Sequence, residues 1–321
     1  MPSRREASLR HAAHYANVLR KANELYLLGD QALARGLALF DEEWPSLQLA
    51  QTWAQANTEG DEEAARLCSD YPYVGEMPIY LRLQALDRIK WSEAALIASR
   101  RVKDKYAESA HLHKLALALI DRGDVSRAID YLEQAVAINR EIKRSEYEAA
   151  DLGALGLAYA ALGEHRKAIK YYRQALAIYR VIDARWGEGI YLSNLGDSYT
   201  ALGRPGAAIK IHEQALKINR EVRDRRSEGY ALGNLGKAYA ALGQHHRALE
   251  LFEQSLAIAR AMADAQAEGY ALFGSSLSLW ERGEHAQAIA NAESALTIFV
   301  RTEDVYVARA REQLDRWREA R

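Results

Sequence analysis

The chain has 321 residues, of which 49% are hydrophobic, and its 43 Lys and Arg residues nearly balance 44 Asp and Glu residues to give a net charge of -1. This length predicts one extended array or two compact domains, and the charge balance argues against a protein whose main task is to neutralise nucleic-acid phosphates. Five prolines and 20 glycines are few for a disordered or all-β chain, so an all-α protein is expected.

Cysteine content and hydropathy narrow the class further. Cys68 is the only cysteine, which excludes an internal disulfide and a cysteine metal cluster and favours a cytoplasmic location. No stretch of about 18 uncharged apolar residues occurs, so neither a membrane-spanning helix nor a secretory leader is expected.

Residues 1–70 are predicted to form an irregular helical cap or linker region. Within it, residues 40–47 (Phe-Asp-Glu-Glu-Trp-Pro-Ser-Leu) are followed by Trp53 and Ala54. This segment resembles the one that joins the nucleotide-binding core to the sensor repeats in bacterial STAND (NB-ARC) signalling ATPases, and the resemblance implies that the chain is a sensor arm. The phosphate-binding loop of such a core is absent, since residues 233–238 have the wrong spacing for that motif.

Residues 71–78 (Tyr-Pro-Tyr-Val-Gly-Glu-Met-Pro) interrupt the helical pattern and are predicted to mark the next boundary. We expect residues 71–110 to be a degenerate repeat that has lost the signature of its first helix. It keeps the phase of the later repeats at four positions, Ala95, Leu96, Arg100 and Glu108, which correspond to Ala175, Leu176, Arg180 and Glu188.

Residues 111–310 are predicted to contain five repeats of 40 residues. A fixed period between 20 and 50 residues is the signature of a repeat architecture. The same residue types recur in phase at several positions, including Glu148, Glu188, Glu228 and Glu268, then Tyr159, Tyr199 and Tyr239, and then Gly163, Gly203 and Gly243.

Each repeat is predicted to contain two helices. In one repeat, the apolar face of the first helix is formed by Leu232, Leu235, Tyr239 and Leu242. Gly243 supplies the positive φ that ends this helix. Gly196 and Gly236 lie inside first helices, where glycine costs about 1 kcal/mol relative to alanine, and this repeated cost indicates close approach by a neighbouring helix.

The pattern Leu-Gly-x-x-Tyr, followed by Leu-Gly and then by Ala-Leu, resembles the tetratricopeptide repeat in a longer variety. The Asn-Leu-Gly-x-x-Tyr form is similar to kinesin light chain and related cell-polarity adaptors. This resemblance implies a right-handed α-solenoid of stacked helix-turn-helix repeats that binds partners on its concave surface. The apolar stripe of Val307, Ala310, Leu314 and Trp317 predicts a C-terminal capping helix that ends within residues 311–321.

Stacked repeats leave a concave wall lined by their first helices, and this wall is the predicted binding surface. The unpacked face of these helices carries Asn194, Asp197, Tyr230, Asn234, Lys237 and Tyr270 at helical spacing. Asn194 and Asn234 are the main candidates because an amide both donates and accepts hydrogen bonds, and asparagines in this context bind peptides in the adaptors that the chain resembles. The alternatives are that the asparagines cap solvent-facing turns and that the tyrosines pack between repeats.

Phe273 and Trp280 are bulkier than their counterparts Gly233 and Ala240 in the preceding repeat. Exposed aromatic side chains are frequent anchors of interfaces, so both are included among the predicted partner-binding residues. The alternative, which the sequence favours slightly, is that they contact the terminal helix.

The phased glutamates resemble paired acid-base carboxylates, but glutamate early in a helix suits the positive end of the helix dipole, which favours a structural role. Since no catalytic or cofactor motif occurs either, we predict that the chain is not an enzyme and binds no cofactor. The nine histidines, including His11, His14, His111 and His113, lack a cysteine or a clear carboxylate partner at ligand spacing. They are therefore expected on the surface and not in a metal site.

The sequence thus predicts a cytoplasmic protein-protein interaction scaffold, either an adaptor or the sensor arm of a STAND-type ATPase. The expected partner is a protein or peptide in the concave groove, and neither nucleic acid nor a membrane is expected. The alternative is a self-assembling or intramolecular docking scaffold whose end repeats stack on another copy or on an ATPase core. Repeats alone do not identify the partner.

Overall fold

The computed structural model describes residues 3–302 and 304–319, apart from the side chains of residues 30, 31 and 85. These residues form sixteen α-helices and no strand, which confirms the predicted all-α class. The chain divides into two compact units, Met1–Leu162 and Gly163–Arg321. This division falls inside the predicted repeat array and does not coincide with the predicted boundaries at residues 70, 110 and 310.

The first unit contains helices of very different lengths. They are α1 Arg4–Leu27, α2 Asp30–Ala56, α3 Glu62–Val74, α4 Glu76–Arg82, α5 Ala85–Arg101, α6 Lys105–Arg122, α7 Val125–Glu141 and α8 Ser145–Ala161. Large buried side chains from α2, α3 and α5, namely Phe40, Tyr71 and Trp91, belong to one core cluster. The Tyr71 hydroxyl donates a hydrogen bond to the Ala12 carbonyl at 2.8 Å, which satisfies the one polar atom of this buried ring.

The predicted interruption at residues 71–78 is much narrower in the structure. Helix α3 continues through Pro72, and α4 begins directly after the single junction residue Gly75. Pro78 lies in the first turn of α4, where the backbone needs no amide donor, so this proline does not break the helix. A Cβ atom at Gly75 would overlap the Leu19 side chain, which explains why glycine joins the two helices.

The second unit is regular. It contains α9 His165–Val181, α10 Arg185–Ala201, α11 Pro205–Glu221, α12 Arg225–Ala241, α13 His245–Ala261, α14 Ala265–Glu281, α15 His285–Arg301 and α16 Val307–Glu319. Helices α10 and α11, α12 and α13, and α14 and α15 pack as pairs, and the first helices α10, α12 and α14 also contact one another. This arrangement of stacked helix pairs confirms the predicted solenoid class. The first helices begin at 40-residue intervals from residue 105, so the predicted start at residue 111 falls inside α6.

The loops repeat as regularly as the helices. Gly203, Gly243 and Gly283 end the first helices with φ values of 70°, 73° and 80°, as predicted for Gly243. Between repeats, Asp183, Arg223 and Ala263 adopt φ values of 53°, 57° and 52°. A positive φ is unfavourable for residues with a Cβ atom, so the packing of the helices on both sides holds these loops in place.

The phased glutamates have a structural partner in every repeat. Each lies in the first turn of its helix and accepts a hydrogen bond from an arginine at the end of the preceding helix, eight residues earlier. The pairs, with N–O distances of 2.7 to 2.9 Å, are Arg100–Glu108, Arg140–Glu148, Arg180–Glu188, Arg220–Glu228 and Arg260–Glu268. These carboxylates therefore connect consecutive repeats across the loops between them, each of which contains a residue with positive φ.

Close helix approach at the internal glycines is confirmed. A Cβ atom at Gly196 would lie 2.5 Å from the His212 ring, and one at Gly236 would lie 2.9 Å from the Phe252 ring. The terminal helix also follows the prediction, because Ala310, Leu314 and Trp317 of α16 are buried and α16 packs on α15. The last two residues of the predicted capping helix, 320 and 321, lie outside the described residues.

Candidate functional site

The first helices of three successive repeats in the second unit form an open recess of about 390 Å³, here called the second-unit recess. Its lining residues are Ile190, Ser193, Asn194, Asp197, Ser227, Tyr230, Asn234, Lys237, Tyr270 and Tyr306. Residues spaced by three, four or seven positions share a helix face, and the 40-residue period places equivalent residues of α10, α12 and α14 side by side. The recess therefore contains six of the eight predicted partner-binding residues.

The two candidate asparagines differ in their hydrogen bonding. The Asn234 amide nitrogen donates to Asp197 Oδ2 at 2.9 Å, and its oxygen accepts from Lys237 Nζ at 3.2 Å. Asn234 thus links α10 to α12 and caps no turn. Asn194 is half-buried in the recess, and its side-chain amide makes no hydrogen bond to another residue in the part of the chain that the structure describes.

Asp197 lies at the centre of this network. The walls of the recess desolvate its carboxylate and raise its pKa to about 6, although the Lys237 ammonium and the Asn234 amide oppose the shift. Because 48% of the Asp197 side chain is still exposed, water moderates this effect. At neutral pH the carboxylate carries a charge, and it becomes neutral only in mildly acidic conditions.

His212 of α11 lies beneath Asp197 and is fully buried. Its Nε2 atom is 3.6 Å from Asp197 Oδ1, which is longer than a hydrogen bond. Burial, together with the nearby Lys237 charge, lowers the pKa of His212 to about 4, so the imidazole is neutral at pH 7. This contact is consequently not an ion pair, and Asp197 gains a proton before His212 does.

Tyr230 and Tyr270 present their rings to the recess while their hydroxyl groups are held by the structure. The Tyr270 hydroxyl donates to Asp304 Oδ2 at 2.8 Å, and the Tyr230 hydroxyl donates to Asp264 Oδ2 at 3.4 Å. The Lys237 ammonium lies 5.6 Å from the centroid of the Tyr270 ring, which is within the range of a cation–π interaction. Tyr230 and Tyr270 therefore both pack between repeats and line the recess.

Residues 106–180 and 188–261 match the family model for the tetratricopeptide repeat. These two ranges of the chain are tetratricopeptide repeats. None of the curated proteins matches it. The matched model describes a repeat and not an enzyme family.

Solved structures of low sequence identity share the fold. The aspartyl phosphate phosphatase F of Bacillus subtilis is 14% identical, with a TM-score of 0.63 over 99% of this chain and 95% of that chain. A Rap protein in complex with Competence and Sporulation Factor is 15% identical, with a TM-score of 0.61 over 98% of each chain. NprR in complex with its cognate peptide NprX is 17% identical, with a TM-score of 0.54 over 87% of this chain and 78% of that chain. At these identities the likeness concerns the fold alone.

Two predicted partner-binding residues of this chain do not line the recess. Phe273 is only 4% exposed, and its ring centroid lies 6.2 Å from those of Phe299 and Tyr306. Trp280 stacks on Trp317 of the terminal helix at 4.6 Å. The larger side chains of the last repeat therefore support α16 and the segment before it. Phe273 is removed from the candidate site because a partner cannot reach it.

The sequence did not indicate four residues that bear on the recess, namely Ser193, Ser227, His212 and Tyr306. Ser193 and Ser227 lie next to predicted positions in the repeat, so a wider face of each helix would have included them. Tyr306 follows the last repeat and has no equivalent in earlier ones, so the 40-residue period contained no signal for it.

The expected surface position of the histidines is wrong for some of them. His111 is buried and shares a hydrogen bond of 2.9 Å with the Ser69 hydroxyl, and His212 is buried as well. His113 Nδ1 lies 2.7 Å from Asp151 Oδ1, so this histidine has a carboxylate partner 38 residues away in sequence. Spacing along the chain could not show this pair, because packing of the helices brings it together.

Residues 3–302 and 304–319 contain neither a candidate membrane span nor a candidate metal site. None of their helices combines the length and the apolar character that crossing a membrane requires. Within the same residues, no group of three or more His, Cys, Asp and Glu side chains could hold a metal ion.

Proposed function

We propose that this protein is an interaction scaffold that holds an extended peptide segment of a partner in the second-unit recess. The observation that carries the proposal is the unengaged Asn194 amide beside the network of Asp197, Asn234 and Lys237. An amide that donates and accepts can pair with both polar groups of one peptide unit. Of the two asparagines, only Asn194 has its full hydrogen-bonding capacity available to a ligand.

The dimensions of the recess suit an extended chain. Neighbouring packed helices have axes roughly 8–10 Å apart, and an extended peptide rises about 3.3 Å per residue. A peptide running from α10 to α12 would therefore meet Asn194 and Asn234 about three residues apart. The aromatic rings of Tyr230 and Tyr270 offer flat apolar surface to its side chains.

Two of the proteins that share the fold were solved as complexes with a peptide or factor. The Rap protein is bound to Competence and Sporulation Factor, and NprR is bound to its cognate peptide NprX. These complexes support the idea that stacked helix pairs of this kind can hold a peptide. We propose the same ligand class for this chain and no catalytic role, because the phased glutamates, the candidate acids or bases, are paired with arginines.

Selection from a displayed library of random 12-residue peptides on the full chain tests this proposal. Peptides enriched on the wild-type chain should bind Asn194→Ala about 10-fold more weakly, because losing two peptide hydrogen bonds at roughly 0.7 kcal/mol each costs about 1.4 kcal/mol. Asn194→Ala with Asn234→Ala should bind more weakly still, with a nearly unchanged melting temperature. Isothermal titration calorimetry measures both.

Gln214→Ala is the matched control, since it removes an exposed amide from the second helix α11 outside the recess. It should leave peptide affinity unchanged. Equal affinity of the double variant and the wild type would place the binding site elsewhere, and failure to enrich any peptide would contradict peptide binding itself.

A second candidate is the sensor arm of a STAND-type ATPase in the cytoplasm. In support, the segment that carries the sequence resemblance is integrated into the first unit: Phe40 stacks on Trp44 at 5.2 Å, and Trp44 stacks on Trp91 at 5.6 Å. An upstream phosphate-loop ATPase in the same reading frame would support this role. Self-assembly is the remaining alternative, and size-exclusion chromatography over a concentration series would expose it as a shift in elution.

A further inference from the structure

A second pocket lies in the first unit, where the short helix α4 is inserted between α3 and α5. It has a volume of about 240 Å³, which equals roughly eight water molecules at ~30 Å³ each. Its lining residues, which define the α4 pocket, are Pro72, Glu76, Met77, Ile79, Tyr80, Arg88, Trp91, Ser92, Lys114 and Leu117. The regular helix pairs of the second unit contain no counterpart of α4, so the pocket is not a product of the repeat.

The walls of the α4 pocket are mainly apolar. Ile79 and Trp91 belong to the adjoining core and are buried, while Met77 and Leu117 are half-buried and border the pocket. A pocket with this lining favours the apolar body of a small molecule. Since burial of each methylene contributes about 0.8 kcal/mol, affinity for a linear ligand should rise about fourfold per methylene.

Two cations stand among these apolar side chains. Arg88 Nη2 donates to Asp121 Oδ2 at 2.8 Å, and Lys114 Nζ lies 2.5 Å from Glu76 Oε1. Each cation is largely buried, with 15% and 17% of its side chain exposed, whereas Asp121 and Glu76 are 44% and 56% exposed. Asp121 is not among the lining residues, whereas Glu76 lines the pocket beside Lys114. Since a guanidinium has five donors and an ammonium three, one acid partner each leaves donor capacity on both cations.

Arg88 has a donor that the protein does not use. Its Nε–H is buried and has no hydrogen-bond acceptor among the residues that the structure describes. Buried donors are nearly always paired, and a guanidinium can donate five hydrogen bonds. The guanidinium also lies 4.9 Å from the centroid of the Tyr80 ring, which restricts its orientation at the pocket. Both cations line the same pocket, and carboxylates pair with guanidinium and ammonium groups through charge-assisted hydrogen bonds.

We infer that the α4 pocket binds a small carboxylate with an unbranched apolar tail. The carboxylate accepts hydrogen bonds from Arg88 and Lys114, and the tail lies against Met77, Trp91 and Leu117. This site is separate from the proposed peptide recess, because every lining residue belongs to the first unit.

Octanoate is the probe, titrated into the full chain by isothermal titration calorimetry. It should bind saturably at one site. Hexanoate, with two methylenes fewer, should bind about 16-fold more weakly on the basis of the methylene contribution. Octanol should bind at least 10-fold more weakly than octanoate, because it has no charge to pair with Arg88.

Arg88→Met should remove most of the preference for octanoate over octanol. Arg127→Met is the matched control, because Arg127 is likewise an arginine of the first unit that pairs with acids, Glu93 and Asp124, but lies outside the pocket. It should leave octanoate binding unchanged. The chain-length and octanol comparisons on the wild type remain decisive if Arg88→Met does not fold.

Three outcomes would overturn the inference. If octanol bound as tightly as octanoate, charge recognition by the cations would be contradicted. If octanoate did not bind saturably, the site itself would be contradicted. Tighter binding of N-acetylleucine than of octanoate would show that the pocket takes the carboxyl end of a peptide and not a free linear carboxylate.

Discussion

In the second unit, the seven helices α9–α15 all have 17 residues, and the same loop conformations recur every 40 residues. In the first unit, helices α1–α4 range from 7 to 27 residues. Their core contains large aromatic side chains at positions that do not recur with the 40-residue period. A repeat is thus specified by a few contacts that recur in each copy, whereas an irregular bundle is specified by contacts that each occur at one position only.

The largest expected effect tests the aromatic core of the first unit. Tyr71→Ala should destabilise that unit by about 3–5 kcal/mol, because it removes a fully buried ring together with its hydrogen bond to the Ala12 carbonyl. Hydrogen exchange of amides in α1–α3, compared with amides of the second unit, measures the local effect. Tyr73→Ala is the control, since Tyr73 is 55% exposed and should change stability by less than about 0.5 kcal/mol. Equal losses for the two variants would contradict the assigned core.

The next prediction tests the repeated contacts of the second unit. Replacing two of its glycines by alanine should change the free energy of unfolding in opposite directions. Gly196→Ala should destabilise by about 1–2 kcal/mol, because overlap with the buried His212 ring outweighs the gain in helix propensity. Gly206→Ala should stabilise by about 0.4–1 kcal/mol, because Gly206 is exposed and nothing lies within 4 Å of its added Cβ atom. Urea titrations of both variants provide the measurement. Stabilisation by both would show that close approach at Gly196 is unimportant.

The smallest effect compares one ion pair in both units. Glu228→Gln should cost about 1 kcal/mol, because Glu228 is buried and pairs with both Arg220 and Arg225, which are themselves more than half exposed. Glu148→Gln in the first unit should cost about 0.5–1 kcal/mol, since Glu148 is more exposed and pairs with Arg140. Melting temperatures check the order. Glu213→Gln, at an exposed position of α11, should have no measurable effect, and a reversed order of the first two variants would refute the dependence on burial.

The sequence supported much of the second unit and less of the first. The 40-residue period correctly placed the helix pairs and the face of Asn194, Asn234 and Lys237, because equivalent positions in a repeat occupy equivalent environments. It did not show that Asn234 is held by Asp197 while Asn194 is unengaged, since this difference depends on what the neighbouring repeat carries. The sequence also did not decide whether Phe273 is an interface residue. In the structure its ring packs against Tyr306 in the segment that follows the last repeat.

Helix class, repeat period and the polar face of each first helix were determined by the sequence itself, because these properties depend on residues a few positions apart and on their exact recurrence in the chain. Only the tertiary structure decided which polar groups are paired, which aromatic rings are buried, and where pockets remain. His113 and Asp151 meet across 38 residues, and the α4 pocket combines residues from four helices. Such contacts depend on how distant helices pack, and a local pattern contains no record of that packing.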